Sequence, residues 1–143
     1  MVRFKNRYIL YEVIWKDGKA DEAINEAGLL AVFRESVAVN FGDHGVAKSA
    51  MSLSVRYYNS VTHLCMVRCG TEEYRQVWCA LSMINEISSK RAMLHFLHLG
   101  GTLKSCQQAA IDYNKRLLDG LRLSQQQSKA IQHAEAKLSN LEL

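Results

Sequence analysis

Two hydrophobic periods alternate along the chain. From Arg7 to Trp15, RYILYEVIW places Ile9, Tyr11, Val13 and Trp15 on one face of an extended segment and Tyr8, Leu10 and Ile14 on the other. Rich in β-branched and aromatic residues, and apolar on both faces, it predicts a strand covered on both sides. The period then lengthens: Ile24, Ala27, Leu30, Phe33, Val37 and Phe41 share one helical stripe, with Asp21 as its cap and Gly42 as its stop. FGDHGVAKSA reads as a loop. Alternation returns in MSLSVRYY, with Met51, Leu53, Val55 and Tyr57 opposite Ser52, Ser54, Arg56 and Tyr58, and after an Asn59-Ser60 turn HLCMVRC is its hairpin partner.

Thr71, followed by Glu72 and Glu73, opens a second helix carrying Tyr74, Val77, Trp78, Leu81 and Ile84. Trp78 and Tyr74 read as core rather than as interface anchors. MLHFLHL is a fourth strand ending at Gly100-Gly101. Thr102 then caps a third helix that turns Leu103, Cys106, Ala110, Tyr113 and Leu117 inward. The order βαββαβ plus helix predicts an α/β (α+β) ferredoxin-like fold with a four-stranded antiparallel sheet. The third helix is expected over the second sheet face, burying Cys106 and Tyr113 against Ile9, Tyr11 or their neighbours. Residues 1–121 read as the folded domain and 122–143 as a helical tail, with a capping-box start at Ser124 and Gln127 and a narrow stripe of Ile131, Ala134, Leu138 and Leu141. Too thin to fold alone, that stripe is expected to dock on this domain or on a partner, or to stay a solvated helix.

Composition narrows the class. At 143 residues and 48% apolar content the chain can bury a core without staples. Cys65, Cys69, Cys79 and Cys106 lack paired short spacings and no signal peptide precedes them, so free thiols in a reducing compartment are expected. No uncharged apolar run approaches the ~20 residues of a membrane span, and a soluble protein is expected.

Charge placement says more than net charge. Lys plus Arg total 18 against 14 Asp plus Glu, and no acid precedes Glu12. Arg3, Lys5 and Arg7 stand at every second position, so in an extended chain they project together while Val2, Phe4 and Tyr8 project the other way. Such a comb suits an anion at one docking edge, or is a solvated terminus. The LGGTLKSCQ segment leaves backbone N–H groups at a positive helix end beside Lys104. It could hold a phosphate, though two glycines more simply serve a tight strand-to-helix turn.

Catalytic machinery is not legible. His95 and His98, three apart in a strand, are expected on opposite faces and unable to share an ion. Cys65 and Cys69 share a face without a chelating partner pair. No nucleophile elbow, HExxH or Walker motif occurs. A base-stacking RNA-recognition sheet needs aromatics on its third strand, and HLCMVRC has none.

Four strings, VRFKNRYILYEV at 2–13, SVRYYNSVTHLCMVRC at 54–69, EEYRQVWCAL at 72–81 and HLGGTLKSCQ at 98–107, resemble the Pop-five family, the small ferredoxin-like protein subunit shared by eukaryotic ribonuclease P and ribonuclease MRP. The resemblance covers residues 2–118. It implies a non-catalytic subunit bracing a catalytic RNA in tRNA 5′-leader removal and rRNA processing, with no cofactor of its own and Mg2+ held by the partner RNA. Implied partners are the ribonuclease P or MRP RNA, a barrel-type thirty-kilodalton protein subunit and the precursor tRNA leader; the implied location is nucleus and nucleolus. RNA contacts are expected from Arg3, Lys5, Arg7, Lys48, Arg56 and Lys104, and the barrel-type subunit against Tyr57, Tyr58, His63 and Leu64. A ferredoxin-like regulatory domain binding a small ligand at its loops remains the alternative. Some relatives end in a strongly acidic tail, which this chain lacks.

Overall fold

A computed structural model describes the backbone of residues 5–19, 23–120 and 125–141 and, within these, the side chains outside 120–128. Arg3, the Asp21 cap and the Ser124 start of the capping box lie outside the described residues. The elements run β1 (Asn6–Trp15), α1 (Glu26–Ser49), β2 (Ser54–Asn59), β3 (Leu64–Gly70), α2 (Tyr74–Ser82), β4 (Glu86–Ile87), β5 (Lys90–Gly100), α3 (Leu103–Gly120) and α4 (Gln125–Ser139). The sheet is antiparallel in the order β2-β3-β1-β5-β4. This is the ferredoxin-like order with one addition. The four-stranded expectation missed β4, a two-residue arm joined to β5 by Ser88 and Ser89, both at positive φ as a two-residue hairpin turn requires.

β1 lies in the middle and, as its two apolar faces require, is covered on both. Ile9, Tyr11, Val13 and Trp15 pack under α1 and α2 with Leu29, Phe33, Val77 and Leu81. Tyr8 and Leu10 pack on the opposite side with Leu103, Cys106, Ala110 and Leu138 of α3 and α4. The third helix therefore covers the second face as expected, but over the even-numbered residues: the Cys106 thiol donates to the Tyr8 carbonyl at 3.3 Å and the Tyr113 hydroxyl donates to Glu12. Thr102 caps α3, its hydroxyl accepting from the Ser105 amide at 3.2 Å.

Four local features depart from the sequence reading. Asn25 caps α1, its side-chain oxygen accepting from the Gly28 amide at 2.8 Å. Gly42, expected as a stop, is a kink at φ 66° and ψ −165°, after which helix resumes to Ser49 through the segment expected as a loop. Only glycine adopts that conformation without strain. The other two features are β-bulges. One makes Arg56 an extra residue between Val55 and Tyr57, so Val55 and Tyr58 face α1 while Tyr57 faces α4, and the clean alternation of 51–58 breaks. The other falls opposite Leu10 and Tyr11 and turns His95 and His98 toward one face, opposite Glu12 and Leu10, where opposite faces were expected. Among the described residues no three His, Cys, Asp or Glu side chains gather to hold a metal ion.

α4 docks on the domain. Ala134 and Leu138 are buried, the Tyr57 hydroxyl donates to the Ala134 carbonyl at 3.4 Å, and the Gln107 amide donates to the carbonyls of Leu138 and Leu141. No described helix is long and apolar enough to cross a membrane.

Candidate nucleic-acid interface

The strand register and helix connections gather seven elements at one end of the sheet. Asn6 pairs with Gly70, Tyr8 with Gly100 and Ser54 with Arg68, so the start of β1 and β2 and the finish of β3 and β5 share an edge. Helices α2 and α3 begin there. α1, which returns to enter β2, ends there with Lys48 in its last turn. The described cations expected at an RNA edge, Lys5 and Arg7 at β1, Lys48 on α1, Arg56 on β2 and Lys104 on α3, thus come from four elements and lie toward one end of the molecule.

Each is held differently. Lys5 is exposed, and its carbonyl accepts from the Thr71 amide at 3.3 Å, fixing the comb to the start of α2. The Arg7 guanidinium is half-buried; it donates to the Asn6 carbonyl at 3.3 Å and lies beside Gly101, 3.6 Å from where a side chain would begin. Lys104 is exposed in the first turn of α3, next to the open amides of that helix. Gly100 has a packing role: a side chain there would crowd the 3.0 Å contact between His98 and Ser105. An acid also enters this end. Glu73 folds over Gly70, its carboxylate lying where a side chain at that position would begin, and its charge adds to burial in pushing the Cys69 thiol up to about 12.

The hairpin residues expected to meet a protein partner are less accessible than the pattern implied. Tyr57 is 1% exposed and Leu64 0%, both in the core beneath α4, and Tyr58 is 8% exposed beneath α1. The Arg56 bulge swaps the faces of the two tyrosines, and because helices cover both faces of the sheet neither is left outside. His63 stays half-buried in the turn at φ 62°, and its carbonyl accepts from the Val13 amide at 2.7 Å. A protein seated on this hairpin meets Ser60 and Val61 at its tip.

Sequence reading passed over Arg68 and Tyr8, which share the basic end on its other face. Period-two spacing signalled the comb because its members are neighbours in sequence. Arg68 stands alone in HLCMVRC, and only register brings it beside Tyr8 and Ser54.

Known proteins share this arrangement of elements. The ribonuclease P/MRP protein subunit POP5 of Schizosaccharomyces pombe is 35% identical over 132 residues, covering 86% of this chain and 95% of that protein. The human protein of the same name is 35% identical over 122 residues, covering 82% and 75%. A probable counterpart in Arabidopsis thaliana is 32% identical over 149 aligned positions, covering 100% and 95%. Among solved structures, a chain in the cryo-EM structure of yeast ribonuclease MRP superposes with a TM-score of 0.54 over 85% of this chain and 99% of its own length; at 9% identity that likeness concerns the fold. Residues 7–111, from the first strand into the third helix, match the Rpp14/Pop5 family, and the chain belongs to that family.

Proposed function

We propose that this chain is a non-catalytic protein subunit of ribonuclease P and ribonuclease MRP, whose work is to neutralise and brace RNA phosphates at the basic end of its sheet. The name borne by its relatives supports the complex. The convergence of Lys5, Arg7, Lys48, Arg56 and Lys104 from four elements supports the surface. Phosphate contacts of this kind fix register and orientation without reading sequence, and they strengthen association by releasing counterions. A half-buried arginine such as Arg7 presents a planar fork of donors suited to a phosphate, while exposed Lys5 and Lys104 act as mobile point charges.

The finer reading follows the family. Phosphodiester cleavage belongs to RNA-held Mg2+, which supplies Lewis acidity and an activated water. This chain contributes position and charge to the RNA, and Arg3 completes the comb. The tip of the β2–β3 hairpin is the proposed seat of the barrel-type thirty-kilodalton subunit, and the precursor tRNA leader is a further RNA ligand of the basic end. The complex is proposed to act in nucleus and nucleolus.

The deciding experiment is purification of the tagged chain from its native cell, followed by identification of what accompanies it. The expected result is a ribonuclease P or MRP RNA together with a barrel-type protein. A bare monomer carrying a small metabolite would overturn the reading in favour of a ligand-binding regulatory domain.

A further inference from the structure

The face of the sheet opposite the comb carries a second row of paired residues at the same end, two of them polar. Ser54, Arg68, Tyr8 and Gly100 stand side by side on β2, β3, β1 and β5, paired in register across the strands. With strands ~4.8 Å apart, such a row crosses about 14 Å of sheet. The row lies on the α3 and α4 side, because Tyr8 packs with Leu103 and Cys106 while Val67 and Cys69, the neighbours of Arg68, pack on the other side.

Its donors lack acceptors. Among the described residues the buried Arg68 Nε and Ser54 hydroxyl make no hydrogen bond, while Arg68 as a whole is half-buried and keeps part of its side chain at the surface. A buried donor left unsatisfied costs stability, and an arginine presents several in one plane, so an acceptor entering at the exposed part of Arg68 would complete its pairing. The geometry points to a phosphate: we infer that Arg68, with Ser54 across the strand, forms a seat for one RNA phosphodiester on the α3 side of the basic end. The inference rests on the proposed RNA reading and extends it, since the strand would be held on both faces of the sheet end, by Lys5 and Arg7 from one side and by Arg68 from the other. A planar guanidinium gives two parallel N–H donors to one phosphate, and a serine hydroxyl adds a third.

The test is a salt titration of binding to in vitro transcribed ribonuclease P RNA by the full chain and its Arg68→Ala, Arg68→Lys, Ser54→Ala, Lys5→Ala/Arg7→Ala and Lys90→Ala variants, with thermal unfolding alongside. Arg68→Ala is expected to weaken binding about tenfold and to lower the log–log salt slope by ~0.7 to 0.9, the value of one phosphate contact. Arg68→Lys should keep the slope and still bind more weakly, because the charge stays and the fork goes. Ser54→Ala should weaken binding without changing the slope. If Arg68→Ala does not fold, the Lys and Ser54 variants decide. Wild-type affinity in those variants, with a lowered slope in Lys5→Ala/Arg7→Ala, would overturn the seat and leave the RNA edge standing. An unchanged slope in every variant would remove the RNA reading and the seat together. An equal loss in Lys90→Ala, which lies at the far end of β5, would mean diffuse attraction and no seat. Unaltered RNA binding with loss of a co-purifying protein would assign Arg68 to a protein acceptor and overturn the proposal.

Discussion

Tyr57 shows how one position can change meaning between sequence and fold. Its ring supports α4, and its hydroxyl donates to the Ala134 carbonyl at 3.4 Å inside the core. Tyr57→Phe is therefore expected to lower stability by about 1 kcal/mol in urea unfolding, the net worth of a buried hydrogen bond. The buried thiols make a second residue-scale prediction. Burial pushes Cys106 and Cys69 up to about 12, with the charge of Glu73 adding to the latter, from an ordinary value of 9.0. Folded values above unfolded ones mean that the associated stability is whole below pH 9 and is lost as pH rises toward 12, because the unfolded chain ionises first. Urea midpoints should hold up to about pH 9 and then fall, and Cys106→Ala should remove one proton's share of that fall, about 1.4 kcal/mol per pH unit. Burial of these thiols was legible in their apolar surroundings. The fate of Tyr57 was not, because its direction depends on an inserted neighbour, Arg56.

Elements were legible wherever period alone decides them. β1, the β2–β3 hairpin, α2, α3 and the Thr102 cap follow from spacing and capping chemistry, although α2 opens at Tyr74 after an N-cap Glu73 that makes no side-chain cap bond and not at Thr71; the two bulges do not follow, because one extra residue preserves composition while reversing every later side chain. That single device explains both the inward turn of Tyr57 and the shared face of His95 and His98. The kink of α1 is subtler still. Gly42 carries the expected stop signal, yet Gly45 lets Phe41 pack closely across the bend, and helix resumes. Space around Gly42 is open, so Gly42→Ala meets no collision and should cost ~1 to 3 kcal/mol from backbone strain alone, seen as a lowered urea midpoint with an unchanged slope. α4 gives a complementary prediction. Ending the chain at Gly120 uncovers Tyr57, Met66 and Leu103, so the shortened protein should melt roughly 5 to 10 °C lower and bind a hydrophobic dye.

At the scale of the whole molecule, charge placement is the feature most visible in sequence, since no acid appears before Glu12. What could not be read was the meeting of that terminus with Lys48, Arg56, Arg68 and Lys104, which requires the full strand order. Replacing Arg3, Lys5 and Arg7 together by Ala should lower the RNA salt slope by about two to three units while leaving the melting temperature within a few degrees, as surface changes away from a core usually do. The same strand order also sets a timetable. β1 is the first strand to leave the ribosome, yet it pairs with β3 on one side and β5 on the other, and its partner for Tyr8 is Gly100. Contacts this distant in sequence form late and slowly. The cationic end is thus completed only when β5 has been made and paired, so the edge proposed to meet RNA exists in finished form only after Gly100 has been translated.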